Sequence, residues 1–123
     1  MVERISEAEH QVMEVLWDHP GPMTAQDVTE VAGPAHGWSA PTVKTLLSRL
    51  VGKGAVTHEA QGRRFLYRPA IARADYLAGE SQRLVDRLFG GRITPLVAHL
   101  AERQALSPDD LAEIEALIRE LKA

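Results

Sequence analysis

The sequence predicts a mostly α-helical fold with a small β-hairpin, arranged as a winged helix-turn-helix followed by three further helices. Three observations support this fold class. Three amphipathic helical patterns separated by glycine and proline fill the first 53 residues, and a strand, a tight turn and a second strand follow up to Pro69. Three more helical patterns, striped with leucine and isoleucine, occupy residues 70–123. We therefore expect two domains, residues 1–69 and 70–123.

The first two helices are predicted from their capping residues. Ser6 and Glu9 have the spacing of a capping box, and the helix they start should end in the DHPGP segment 18–22. Thr24, with an aspartate three positions later, starts the second helix in the same way. We expect Gly33-Pro34 to stop that helix, because proline lacks the amide hydrogen that the next turn needs.

The third helix, between Trp38 and Gly54, has an apolar face and a polar, cationic face. The apolar face carries Val43, Leu46, Leu47 and Leu50. No carboxylate occurs after Trp38 until Glu59. Short hydroxyl side chains let a helix lie deep in a DNA groove, while lysine and arginine reach phosphates and base edges. Most amphipathic helices bind nothing, so this pattern alone leaves DNA binding and simple packing equally open.

A β-hairpin follows the third helix directly. The predicted strands, residues 55–60 and 64–68, flank Gly62, which supplies the positive φ that a tight turn requires. A two-stranded hairpin is marginal alone, so we expect it to pack on the helices through Val56 and one face of residues 65–67. Its cations are Arg63 and Arg64 at the tip and Arg68 on the return strand. Charged loop tips are often there for solubility, but a cationic helix beside this tip favours DNA contact.

Charge is segregated along the chain although the net charge is only -3. Residues 1–38 carry one arginine against seven acids, residues 39–69 carry six cations against one acid, and residues 70–123 carry seven cations against nine acids. The basic block is therefore the expected surface for double-stranded DNA. The predicted DNA-binding residues are Thr42, Lys44, Thr45, Ser48, Arg49, Lys53, Arg63, Arg64 and Arg68.

The tail, residues 70–123, is expected to form a homodimer. Thr94-Pro95 and Ser107-Pro108 are predicted to start its second and third helices. Three helices of this length bury too little apolar surface alone, so a second copy is expected to cover them; the alternative is a tail that folds back on its own head. The predicted dimerisation residues are Leu77, Leu84, Leu88, Leu96, Leu100, Leu111, Ile114, Leu117, Ile118 and Leu121.

Other classes of function have little support in the sequence. There is no cysteine, and no apolar run approaches the roughly 18 residues of a membrane span, so we expect a cytoplasmic protein without membrane insertion. No phosphate-binding glycine loop and no Ser, His and Asp set stands out. An enzyme is not expected, nor is a cofactor. The five histidines are scattered without metal-ligand spacing, so they are read as ordinary polar residues: His10, His19, His36, His58 and His99.

Four segments resemble the bacterial penicillinase-repressor family, which includes the beta-lactamase and methicillin-resistance repressors. They are ISEAEHQVMEVLW, WSAPTVKTLLSRLVGKGAV, GRRFLYRP and LVDRLFGGRITPLVAHL, and they extend over nearly the whole chain. The resemblance implies a homodimeric transcriptional repressor that binds inverted-repeat operator DNA. By position, it implies groove contacts for Thr42, Lys44 and Thr45, and phosphate contacts for Arg63 or Arg64.

The chain departs from this family at the start of the third helix. The family commonly has Ser-Pro-Lys-Thr where this chain has SAPT at 39–42. Because proline pushes its predecessor out of helical geometry, Ala40 is expected to become the cap, with a start up to one residue late, unless Ser39 accepts from the amide of Thr42. Gly52 also replaces a frequent lysine, so we expect weaker nonspecific phosphate binding and a different operator preference.

The resemblance also implies a way in which the repressor could be inactivated. Relatives in the beta-lactam branch are inactivated by proteolysis at a position that aligns with His99-Leu100, with a membrane sensor protease as the partner. The family has Asn and Phe there, so both residues depart, and induction by a small ligand or another protease stays open. A second class of function also stays open, a winged-helix module that docks an acidic protein and does not read DNA.

Overall fold

The structure, a computed structural model, describes residues 4–123 and confirms the predicted fold class. These residues form six helices and one two-stranded antiparallel sheet. In chain order the elements are α1 (Glu7–Asp18), α2 (Ala25–His36), α3 (Ala40–Gly52), β1 (Val56–Gln61), β2 (Arg64–Pro69), α4 (Arg73–Phe89), α5 (Ile93–Glu102) and α6 (Pro108–Lys122). Two compact units result, the first ending at Leu77 and the second comprising Ala78–Ala123.

The core of the first unit lies between α1, α2, α3 and the base of the hairpin. All four residues of the predicted apolar face of α3 are buried in it. They meet Val12, Met13 and Leu16 of α1 and Val28 of α2, whose side chains are at most 1% exposed. Burying aliphatic side chains of this size stabilises a fold by about 1.5–3 kcal/mol each. The polar face of α3 is therefore left at the surface.

The capping boxes at the starts of α1 and α2 form as predicted, but the predicted end of α2 is wrong. The helix continues through Pro34 to His36 and ends at Gly37, whose φ is +71°. The carbonyl of Gly33 accepts hydrogen bonds from the amides of Gly37 (2.7 Å) and Trp38 (3.2 Å). Proline removes one hydrogen bond of the helix, whereas the left-handed glycine closes the last turn and satisfies its carbonyl.

The predicted late start of α3 is also wrong. Ser39 is the N-cap, and its hydroxyl oxygen accepts from the amide of Thr42 at 3.4 Å. Ala40 is the first helical residue and Pro41 the second, a position where the missing amide hydrogen costs no internal hydrogen bond. Moving the proline by one place thus leaves the cap intact.

The wing is a regular hairpin with its strands at Val56–Gln61 and Arg64–Pro69. Gln61 pairs with Arg64 across a two-residue turn in which Gly62 has a φ of +65°. Tyr67, on β2, also forms an isolated bridge with Met23, with hydrogen bonds of 2.8 and 3.1 Å. This bridge, which the sequence did not predict, anchors the base of the wing to the segment before α2.

In the second unit, α6 starts as predicted, whereas the predicted start of α5 is wrong. Ser107 caps α6 in a capping box with Asp110. Thr94 does not cap α5, because that helix already begins at Ile93 after Arg92, which makes no side-chain capping bond. No helix within residues 4–123 has the length and apolar character needed to cross a membrane.

The first unit extends into α4, beyond the domain boundary expected at Pro69. The indole of Trp17 donates to the carbonyl of Ile71 at 2.9 Å, and the ring of Tyr76 stacks on that of His10 with centroids 5.4 Å apart. The guanidinium of Arg73 also pairs with Glu14 at 3.1 Å. These contacts hold the first turn of α4 against α1. The first residues of α4 thus belong to the first unit.

Candidate nucleic-acid interface

The exposed face of α3 carries the polar residues that the sequence predicted for DNA contact. All five predicted residues between 42 and 49 are exposed: Thr42, Lys44, Thr45, Ser48 and Arg49. The hydroxyl of Thr45 donates to the carbonyl of Pro41 at 3.0 Å, which leaves its oxygen free to accept. A convex helix face with short hydroxyls and two cations fits the width of a major groove.

A cleft of about 420 Å³ separates this face from the wing. It is lined by the first turn of α2 (residues 24–26), by Lys44 of α3, and by Arg63, Arg64, Phe65 and Tyr67 of the wing. Three of the predicted contact residues, Lys44, Arg63 and Arg64, therefore lie around one concave surface. Cations from two separate elements meet there, which concentrates positive potential on one side of the first unit.

The cations of the cleft are available to an anionic ligand. Within residues 4–123, neither Lys44, Arg63 nor Arg64 makes a salt bridge within 4.0 Å. Arg64 does act electrostatically on the carboxylate of Asp27 in α2. Hydrogen bonds with Thr24, followed by the positive charge of Arg64, lower the pKa of Asp27 below its ordinary value. A phosphate at the cleft thus meets cations whose charges are not already neutralised by direct pairing.

Lys53 lies apart from this surface. It is the C-cap of α3, about 13 Å along the helix from Lys44. Its ammonium donates to Glu9 of α1 at 2.7 Å and to the carbonyl of Arg4 at 3.2 Å. The predicted DNA contact of Lys53 is therefore not supported, because its charge compensates a carboxylate whose side chain is only 1% exposed.

The Glu9 and Lys53 pair gives the fold an acid-sensitive contribution. Burial raises the pKa of Glu9, but hydrogen bonds from Lys53 and Ser6 outweigh it, so the pKa lies below its ordinary value of 4.5. The unfolded chain then binds the proton first as pH falls. We expect this contribution to be complete above about pH 4.5 and lost as pH falls through the folded-state pKa. Chemical denaturation between pH 3 and pH 7 would measure it, with Glu9→Gln showing a flatter acid dependence.

Lys53→Met is the matched variant for this pair. It should lower the free energy of unfolding at pH 7 by about 2 kcal/mol, because it leaves a buried carboxylate without its cation. Its DNA affinity should keep the salt dependence of the wild-type protein. A smaller slope of log DNA affinity against log salt in this variant would show that Lys53 does contact DNA.

Arg68 is also separated from the cleft. Arg68 does not line the cleft but a separate pocket of the wing, together with Glu59 and Leu66. Its guanidinium lies 3.8 Å from the carboxylate of Glu59, and both side chains are more than half exposed. An exposed pair of this kind contributes little to stability. Arg68 therefore lies outside the cleft that Lys44 lines.

The predicted dimerisation residues form exposed apolar faces. In the second unit, Val85 is the only buried residue among 78–123. Seven of the ten predicted residues are exposed, while Leu96, Leu100 and Ile114 are half-buried. Leu121 is 81% exposed and Leu117 is 59% exposed. The predicted cleavage position, His99-Leu100, lies inside α5, with His99 exposed and Leu100 half-buried.

The histidines are spread over both units. His58 stacks on Phe65, His36 on Trp38, and His99 lies beside Phe89. Within residues 4–123, no group of three or more His, Cys, Asp or Glu side chains is placed to hold a metal ion. His10 also lies 3.0 Å from a carboxylate oxygen of Glu14, and His19 lies 2.8 Å from the carbonyl oxygen of Gly21.

Two features of the cleft were missed from the sequence. The first turn of α2 lines it, and so does Phe65, which is 45% exposed. Phe65 was expected among residues that pack the wing on the helices, as Tyr67 does. The alternation of β2 places both rings on one face, but it does not say how far the helices extend beneath them.

A winged helix-turn-helix with a cationic third helix and wing is the architecture of DNA-binding transcriptional regulators. The family model described as penicillinase repressor matches residues 5–120 of this sequence. The chain therefore belongs to the penicillinase repressor family.

Individual relatives agree with this assignment over most of their length. The penicillinase repressor of Bacillus licheniformis is 33% identical over 121 residues, which cover 98% of this chain and 94% of the relative. The transcriptional regulator BlaI of Mycobacterium tuberculosis is 32% identical, with 92% of this chain and 86% of the relative covered. Among solved structures, the monomeric form of Bacillus licheniformis BlaI in complex with the blaP half-operator has a TM-score of 0.53 and 38% identity. That alignment covers 62% of this chain and 92% of the BlaI chain.

Proposed function

We propose that this protein is a transcriptional repressor that binds inverted-repeat operator DNA as a homodimer. In each copy, α3 lies in the major groove and the wing follows the neighbouring backbone. Thr42, Lys44, Thr45, Ser48 and Arg49 face the groove, and Arg63 and Arg64 hold phosphates. The relatives support this function, since one is named penicillinase repressor and Bacillus licheniformis BlaI was solved with a half-operator.

One observation carries the proposal. Lys44 of α3 and Arg63 and Arg64 of the wing line a single cleft, and none of them is paired with an acid within the described residues 4–123. A protein of net charge -3 can bind a polyanion only if its positive charge is concentrated in this way. The groove-facing hydroxyls beside them supply donors and acceptors for base edges.

The second unit supports the homodimer. It leaves Leu84, Leu88, Leu111, Leu117 and Leu121 exposed, which a soluble monomer seldom does on this scale. A second copy of the chain would cover these faces on both partners at once. Two recognition helices would then be held about 34 Å apart, one turn of DNA.

Proteolysis in the tail would act through the same dimer. A cut at His99-Leu100 would separate α6, with its apolar stripe, from the head. Because the bond lies inside α5, the helix must open locally before a protease can bind it as an extended segment. Loss of the dimer would then lower operator affinity without any change in the head. We include this step in the proposal, with a membrane sensor protease as the candidate agent.

Selection from a random duplex library with the purified full chain tests the function. We expect the retained duplexes to contain two inverted half-sites with centres about 10 base pairs or a multiple apart. Retention of unrelated sequences, or of none, would contradict an operator-binding repressor.

A further inference from the structure

The ring of Phe65 occupies an unusual place for a large apolar side chain. It lies on β2 two residues before Tyr67, which is only 9% exposed and packs into the core. Phe65 itself is 45% exposed and lines the cleft with Lys44, Arg63 and Arg64. The two rings share one face of β2 but differ in how far they are buried. An apolar ring therefore stands among the three cations proposed to bind DNA.

Packing within the wing explains only one side of this ring. His58 stacks on it with centroids 4.6 Å apart and an angle of 28° between the planes. Tyr67 meets it at 6.4 Å in an edge arrangement. These contacts stabilise the hairpin, yet Phe65 remains 45% exposed and lines the cleft. This exposed apolar surface is available to a ligand that enters the cleft.

We infer that Phe65 binds the deoxyribose of the DNA strand that crosses the cleft between α3 and the wing. This inference rests on the proposed function. When Arg63 and Arg64 hold the phosphates of a DNA strand, the sugars of that strand lie beside Phe65, the next residue on β2. They present their apolar C–H edges to its ring. Phosphates repel an aromatic face, whereas sugar C–H groups can cover it. The cations fix the position of the strand, and Phe65 contributes an uncharged contact that is independent of base sequence.

The contact can be tested by affinity measured over a range of salt concentrations on a duplex of arbitrary sequence and on a duplex from the library selection. Phe65→Thr removes the ring while keeping a strand-forming residue. We expect it to weaken binding about three- to tenfold per copy on both duplexes, because the buried apolar area is lost. The slope of log affinity against log salt should stay unchanged, since no counterion is released by a ring. Phe65→Leu should retain most of the affinity.

Val31→Ala is the matched control. Val31 is 56% exposed on α2 and does not line this cleft, so its truncation should leave DNA affinity as it is. An unchanged affinity in Phe65→Thr, while the wild-type protein binds both duplexes, overturns the sugar contact alone. A wild-type protein that binds no duplex overturns the repressor function and the contact together.

A measurement on the wild-type complex covers the case in which Phe65→Thr lowers stability. Nuclear Overhauser effects between the ring protons of Phe65 and deoxyribose protons are expected in the bound duplex. Their absence, with Arg64 contacts to the backbone present, would overturn the inference.

Discussion

Arg64→Ala is expected to weaken operator binding on the order of tenfold to a hundredfold and to reduce the salt slope by about 2 in a dimer. Arg64 lines the cleft beside α3, and within residues 4–123 it makes no salt bridge, so its charge is available to a phosphate of the operator. Each phosphate that is neutralised releases counterions, which gives a slope of about -0.9 per contact. Fluorescence anisotropy of a labelled selected duplex, titrated at several salt concentrations, would measure both quantities.

Lys44→Ala separates groove contact from phosphate contact. A groove residue should lose discrimination among bases, by about 1–3 kcal/mol at one position of each half-site, as well as affinity. Arg103→Ala is the matched control, because it removes the same charge from an exposed position in the second unit. If Lys44→Ala and Arg64→Ala both left the affinity for every duplex unchanged, the module that docks an acidic protein would replace the repressor.

Leu117→Glu is expected to convert the protein to a monomer and to lower its affinity for a full operator by a factor of about 10²–10⁴. Leu117 is 59% exposed on α6, in the stripe that runs from Leu111 to Leu121. A carboxylate buried in a dimer interface without a partner costs several kcal/mol. Analytical ultracentrifugation would give the dissociation constant of the dimer. Comparing affinity for duplexes with one and with two half-sites would give the gain from binding both half-sites at once.

Ala116→Glu provides the control for this prediction. Ala116 is exposed on the same helix but on the side of Glu113 and Glu120, so the added charge stays in water. It should leave both the dimer and the operator affinity intact. Affinity for a single half-site should be the same in the wild type, Leu117→Glu and Ala116→Glu, because the first unit is unchanged. A Leu117→Glu protein that remained dimeric would place the interface elsewhere.

The starts of α1, α2 and α6 could be predicted from the sequence because a cap is a local interaction. Ser6, Thr24 and Ser107 each accept from an amide three residues later, so the spacing of two residue types is sufficient evidence. The division of α3 into a buried and an exposed face could also be predicted, since its apolar residues recur at helical spacing and all are buried. Four separate helical predictions and the hairpin thus follow from neighbours along the chain.

Errors arose where two local signals compete. At Gly33-Pro34, proline does remove one hydrogen bond, but this loss does not end α2. The helix continues to His36 and is closed by Gly37, three residues after the proline. At Thr94 a good capping residue is displaced by the turn before it, in which Gly90 has a φ of +60° and Arg92 donates to the carbonyl of Phe89. The geometry of the preceding turn sets where α5 begins.

The amino-acid order alone specified the helices, the hairpin and the segregation of charge between residues 39 and 69. Contacts across the fold specified which of those charges can act together. Lys53 and Arg64 looked equivalent in the sequence, yet Lys53 meets Glu9 from 44 residues earlier, while Arg64 meets the cleft beside Lys44. Likewise Phe65 and Tyr67 share one face of a strand, and only the tertiary structure shows that Tyr67 is buried while Phe65 is 45% exposed. Pairing across long separations depends on the packing of distant segments, which spacing along the chain does not encode.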